Sequence, residues 1–140
     1  MVLDRDILNR IQQKLESLNL FQTIRQPANV ISTHDLLDML PDLTQFPAAI
    51  LLAQSTTQSD HLAFSQIDLV VIGRYFGLES ERNLCETMRK TTAEAFRQTI
   101  GAEFENSGQA LIMLNEISPL MLGSEYLAWN LSFEAKILNY

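Results

Sequence analysis

The end of the chain carries the clearest structural pattern, because every second residue from Leu127 to Ile137 is apolar and those from Asn130 to Lys136 between them are polar. Side chains point alternately to the two faces of a strand, so this alternation predicts a β-strand with one buried and one solvated face. Such a strand belongs in an antiparallel sheet, since antiparallel sheets can leave one face in water. The apolar positions are Leu127, Trp129, Leu131, Phe133, Ala135 and Ile137.

Other patterns predict two long helices and three further strands. Apolar stripes with a 3.6-residue period place helices at 4–20 and 80–100, the second capped by Ser80 and ended by Gly101. The polar segment 54–60 is predicted to be a loop. The strands are predicted at 48–53, 62–76, 109–117 and 127–137.

This order predicts one α+β domain spanning residues 1–140, which is close to the commonest domain size. The expected architecture is an antiparallel or mixed four-stranded sheet with the two long helices packed on it, in the order α-β-β-α-β-β. Trp129 and Phe96 lie on apolar stripes, and both are expected in the core between sheet and helix.

The first two predicted strands are apolar on both faces, at 48–53 and 67–72, which raises the question of what covers the far side of the sheet. Two helices of one chain most easily cover one face of a four-stranded sheet. The other face is then covered either by residues 21–46 or by a second copy of the chain. The second option predicts a subunit interface at Val70, Ile72, Arg74 and Phe76, and a homo-oligomer that closes into a ring.

No arrangement of residues that is typical of an enzyme stands out in the sequence. Cys85 is the lone cysteine and is expected to be a small buried residue in a reducing compartment. His34 and His61 stand apart, and neither has metal-ligand spacing around it. Gly73 and Gly77 do not form a phosphate loop. We therefore predict no catalytic residue, no metal site and no cofactor.

Charge and hydropathy narrow the range of partners. The net charge is −7, so tight binding to nucleic acid, which needs clustered Lys and Arg, is not expected. No apolar run approaches the ~18 residues of a membrane span. The first residues also lack the pattern of a signal peptide. An acidic protein of this kind could line a channel through which nucleic acid passes without adhering.

The order and lengths of these elements resemble the tail terminator and minor tail proteins of bacteriophages. The likeness rests on the amphipathic helix from Ile7 to Leu18, the strand led by Pro47, the strand that ends at Val71–Tyr75, the helix after it, and the closing strand with Trp129. This resemblance implies a structural protein of a phage or prophage tail, which forms a ring, caps the tail tube and helps to join it to the head. Its implied partners are tail-tube and head-completion proteins.

Two other functions stay open at this point. One is a small cytoplasmic α+β module that binds an apolar ligand, or a peptide at a sheet edge. The other is an enzyme whose site forms only in three dimensions. A tail protein is expected in the virion tail and, during assembly, in the cytoplasm of the bacterial host.

Overall fold

The computed structural model describes residues 4–27, 33–59, 62–104 and 108–138. Its helices are α1 (Asp4–Leu18), α2 (Thr33–Met39) and α3 (Glu79–Ala95), and a 3-10 turn at Leu40–Asp42 follows α2. Its strands are β1 (Thr23–Arg25), β2 (Ala48–Ser59), β3 (Leu62–Arg74), β4 (Ile100–Phe104), β5 (Gly108–Leu120) and β6 (Tyr126–Leu138).

All six strands belong to one mixed sheet with the order β1-β2-β3-β6-β5-β4. The short β1 pairs parallel with the start of β2, and every other pairing is antiparallel. The closing strand lies at the centre of the sheet, where it pairs with β3 on one side and with β5 on the other. Strand β6, the last strand in the sequence, is therefore central to the sheet.

The main core lies between one face of the sheet and helices α1 and α3. Ile7, Ile11 and Leu15 form the buried stripe of α1. On α3 the buried residues are Cys85, Met88 and Thr92, and the Thr92 hydroxyl donates a hydrogen bond to the Met88 carbonyl. Phe96, just after α3, packs edge-on against Phe133 of β6 at 5.1 Å between ring centres. The buried sheet residues of this core are Ala49, Leu51, Ala63, Ile67, Leu69, Val71, Ala110, Ile112, Leu131, Phe133, Ala135 and Ile137.

A second, smaller core covers part of the opposite face. Helix α2 and the turn after it pack against the strand ends that lie near Ala48 and Ile72. Strand β3 is consequently buried on both sides over its last residues. The buried members of this second core are Leu36, Leu40, Leu43, Ala48, Ile50, Leu52, Val70, Ile72, Leu122 and Ala128.

The predicted four-stranded sheet with two long helices is wrong. The sheet has six strands and the three helices are short, with α1 ending at Leu18 and α3 at Ala95. The predicted loop at 54–60 is strand as far as Ser59, because Ser55–Ser59 pair with Leu62–Gln66. Hydrophobic periodicity appears where one face of a strand is buried. This strand segment is almost unburied, so its sequence shows no such pattern.

The ends of α3 also differ from the prediction. The helix begins at Glu79, and the Glu81 carboxylate accepts hydrogen bonds from the Phe76 and Leu78 backbone N–H groups at 2.9 and 3.2 Å. Gly101 was predicted to end the helix, but it lies in β4. Within the described ranges, no helix is both long and apolar enough to span a lipid bilayer.

Replacing Phe96 by alanine should destabilise the fold strongly. Its ring is fully buried against Phe133, and truncating a buried Phe typically costs ~3–5 kcal/mol. Leu84 of α3 is a matched control, because it is 72% exposed and its truncation should change stability by less than about 0.5 kcal/mol. Urea unfolding of the two variants measures both values, and similar losses for both would contradict the placement of Phe96.

Gly73 marks the closest approach of α3 to the sheet. A Cβ atom added there would overlap the Cys85 sulfur. Overpacking of this kind typically costs ~1–3 kcal/mol, so Gly73→Ala should lower the free energy of unfolding by that amount. Adding Cys85→Ala removes the sulfur and should recover part of the loss. A double-mutant cycle with no coupling between positions 73 and 85 would contradict the packing.

Candidate functional site

The structure places the four predicted interface residues in two different environments. Val70 and Ile72 are buried in the second core, beneath Leu36 and Leu40 of the same chain. These two side chains are therefore unavailable to a second copy in this fold. The segment that covers them lies within residues 21–46, which the sequence offered as the alternative to cover by a second copy. Arg74 and Phe76 lie beyond the core, at the end of the sheet.

The Arg74 side chain lies among three aromatic rings. Its guanidinium carbon is 4.9 Å from the ring centre of Phe46, 5.3 Å from that of Tyr126 and 5.6 Å from that of Phe76. The rings of Phe46 and Tyr126 also pack on each other at 5.7 Å. A cation over aromatic faces is attracted by the ring quadrupole, so these rings hold the guanidinium at the surface in a defined position.

Large apolar side chains are exposed in the turns at this end of the sheet. Phe76 is 64% exposed, Leu78 is 60% exposed and Met121 is 84% exposed. The turn after β3 and the turn before β6 lie side by side, because the Tyr75 N–H donates to the Glu125 carbonyl at 2.8 Å. We call the surface formed by residues 74–78 and 121–126 the aromatic end.

The composition of the aromatic end is that of a protein contact surface. Aromatic residues, Met and Arg are enriched at the centres of protein interfaces. Contiguous exposed apolar residues on a folded domain mark interaction sites. A second arginine extends this surface, since Arg82 donates to the Tyr75 hydroxyl at 3.2 Å and lies over the same ring at 5.2 Å. That contact raises the pKa of Arg82 above its ordinary value.

Two long stretches of strand edge are unpaired among the described residues. On β2, only Ala48–Ile50 pair with β1, so no described strand lies along the outer edge at positions 51–59. On β5, only Gly108–Ile112 pair with β4, which leaves positions 113–120 free. The two free edges lie on opposite sides of one sheet. Free edges present unpaired N–H and C=O groups that can bind another strand.

A groove of about 1080 Å³ runs along the free edge of β5, between it and the second half of α3. Leu18, Leu114 and Ile117 contribute apolar surface, while the charged lining combines Arg89, Lys90 and Arg97 with Glu94 and Glu116. Arg89 also lies over the Trp129 ring at 5.7 Å. Trp129 is therefore only half-buried, at the margin of the core in which it was predicted.

The residues considered for chemistry do not come together in the described ranges. Cys85 is buried, and its burial raises the pKa of the thiol, with the nearby Glu81 charge adding to the shift. A protonated thiol is a poor nucleophile. Within the described residues, no group of three His, Cys, Asp or Glu side chains could hold a metal ion. The His34 side chain and His61 lie outside what the structure describes.

Comparison with known proteins adds no relative. No protein-family model matches the chain, and no curated protein is similar to it.

Sequence reasoning missed Leu78, Met121 and the groove beside β5. Leu78 and Met121 lie in turns flanked by Gly77 and Gly123, both with positive φ. An apolar residue in a turn has no helix or strand period to place it on a buried face, so the sequence did not separate exposed Met121 from its buried neighbour Leu122. The groove also has no sequence signal, because it forms between residues 89–97 and 114–117, which are distant in sequence.

Replacing Arg74 by alanine should destabilise the chain more than the same change at Arg89. Both arginines are half-buried, but Arg74 packs against three rings whereas Arg89 lies over one. Cation–π contacts contribute about 0.5–1 kcal/mol at exposed sites and about 2 kcal/mol when desolvated. We expect a loss of about 2 kcal/mol for Arg74→Ala and under 1 kcal/mol for Arg89→Ala in urea unfolding. Equal losses would contradict the cage around Arg74.

Proposed function

We propose that this chain is a structural assembly protein of a phage or prophage tail, which forms a ring that caps the tail tube and helps to join it to the head. The observation that carries the proposal is the aromatic end, where three large apolar side chains are mostly exposed around a fixed arginine. Such a surface costs free energy in water unless a partner covers it.

The position of this surface suits an assembly role. It lies where several strands of the sheet end, so a partner bound there would sit along the direction of the strands. The lateral edges of the sheet then stay available for neighbouring copies. A ring built in this way presents one set of strand ends to the tube or to the head. The net charge of −7 suits a channel for nucleic acid, because it disfavours adhesion of the phosphate backbone.

A peptide-binding module is the second candidate, and the groove beside β5 favours it. The groove combines a free strand edge with apolar side chains and with the cations of Arg89 and Lys90. An extended peptide can add to such an edge through main-chain hydrogen bonds, with carboxylates near the cations. A monomeric protein that binds short acidic peptides at this groove would favour the module over the assembly protein.

Self-association measured by light scattering tests the proposal. We expect a mass well above 15.9 kDa, at a multiple of it, when the protein is concentrated. Changing Phe76 and Met121 together to serine should shift the distribution toward smaller species or abolish binding between stacked rings, because it removes apolar contact area worth ~25 cal/mol per Å².

Leu37→Ser is the matched control, since Leu37 is an exposed leucine on α2, outside the aromatic end. It should leave the mass distribution unchanged. A monomer at every concentration would contradict a self-assembling protein. If the double variant and the control changed the mass distribution equally, the aromatic end would not be part of the contact.

A further inference from the structure

We infer that Arg74 anchors a carboxylate of the protein partner that docks on the aromatic end. The partner segment that fits this surface carries a Glu or Asp side chain flanked by apolar side chains. This inference deepens the proposed function and rests on it, because it names the chemistry of the partner at the same surface.

The position of the Arg74 guanidinium is set by rings from three different parts of the chain. Phe46 precedes β2, Phe76 follows β3, and Tyr126 is the residue of β6 that pairs with Arg74. Phe46 and Tyr126 are half-buried at the rim of the second core. A side chain that is already held in one position loses little conformational freedom on binding, so this guanidinium is preorganised for a ligand.

The hydrogen-bonding capacity of this guanidinium is unused among the described residues. Arginine presents a planar fork of N–H donors. The Arg74 side chain contacts the three rings but makes no hydrogen bond or ion pair with the described part of the chain. Phenyl rings attract a cation through their quadrupole but have no lone pair to accept from N–H groups. By contrast, Arg82 donates to the Tyr75 hydroxyl, and Arg97 pairs with Glu94.

The carboxylates of the adjacent turns do not neutralise Arg74. The Glu81 carboxylate accepts hydrogen bonds from the backbone N–H groups of Phe76 and Leu78. Glu125 is exposed in the turn before β6. Within the described ranges, neither carboxylate forms an ion pair with Arg74. The charge and the donors of Arg74 are therefore available to a partner.

The exposed apolar residues define what must accompany the carboxylate of the partner. Phe76, Leu78 and Met121 are mostly exposed at this end of the sheet. Apolar side chains that cover them exclude water, and a charged hydrogen bond is stronger where water is excluded. Arginine and a carboxylate can pair through two parallel N–H···O bonds, which also fixes the orientation of the partner. The net charge of −7 repels an acidic segment at long range, but physiological salt screens that repulsion over about 8 Å.

Arg89 is the matched comparison for Arg74. It is also half-buried and lies over an aromatic ring, that of Trp129. Its groove already contains the carboxylates of Glu94 and Glu116. Of the described residues, none of the strongly exposed large apolar side chains lines that groove. A carboxylate flanked by apolar side chains therefore fits Arg74 better than Arg89.

Selection of an mRNA-displayed library of random short peptides on the immobilised chain tests the inference. The tightest-binding peptide is compared, by fluorescence polarisation at physiological salt, with the same peptide in which Glu and Asp are replaced by Gln and Asn. This comparison leaves the protein unchanged, so it does not depend on the folding of a variant. On the protein side, Arg74→Gln and Arg74→Lys are compared with Arg89→Gln, and urea unfolding confirms that each variant is folded.

We expect the selected peptides to carry a carboxylate next to apolar residues. Loss of that carboxylate, or Arg74→Gln, should weaken binding roughly tenfold or more. The two changes together should weaken it little further, because they remove the same contact. Arg74→Lys should restore only part of the affinity, since it keeps the charge without the planar fork. Arg89→Gln should leave the affinity unchanged.

A library that yields no binder, or binders without carboxylates, would overturn the inference. So would an affinity that Arg74→Gln leaves unchanged. Loss of binding only in Arg89→Gln would place the acidic peptide in the groove beside β5 and would also overturn it. If the inference fails while light scattering shows assembly, the proposed function stands without this contact. Carboxylate-dependent binding at Arg74 by a chain that stays monomeric would support the anchor and contradict the ring.

Discussion

The burial of β3 on both faces is the constraint on which the rest of the fold depends. Ile67, Leu69 and Val71 face the core beneath α1 and α3, while Val70 and Ile72 face the second core beneath α2. A strand buried on two sides needs a partner strand on each edge and a covering layer on each face. Strands β2 and β6 supply the edges, and the short α2 with its following turn supplies the second layer.

This arrangement leaves the functional surfaces at the margins of the sheet. Because the chain covers its own second face near Ile72, apolar contact surface remains at the strand ends, where Phe76, Leu78 and Met121 are exposed. Because β1 and β4 are short, free edges remain at both sides. Ends and edges point in perpendicular directions, so one chain can contact its neighbours in a ring laterally and a stacked ring or another partner along the strands.

The alternation at 127–137 predicted the closing strand, because every second residue from Leu131 to Ile137 is buried. The stripes of α1 and α3 likewise reflect the face that each helix buries. The sequence could not reveal Ser55–Ser59 or Ile100–Phe104 as strands. Their stability comes from pairing with partners across the sheet, at positions where residue hydropathy carries little signal.

The cover over Val70 and Ile72 was hard to predict for a related reason. Strand β3 is apolar on both faces, so the face with Val70 and Ile72 must also be covered. A distant segment of the same chain can provide this cover as well as a second copy can. The cover comes from Leu36, Leu40 and Leu43, in a short helix and turn whose sequence does not indicate the surface on which they dock. Arg74 and Phe76 lie beyond the reach of that cover and stay at the surface.

Hydrogen–deuterium exchange at low and high protein concentration tests most directly whether copies assemble through the margins of the sheet. About half of the amides on a free strand edge point outward and have no acceptor in the isolated chain. The account predicts that exchange slows on assembly within 113–118 and around residues 76–78. Slowing confined to α2, or unchanged exchange at the β5 edge and the aromatic end while the mass rises, would contradict it.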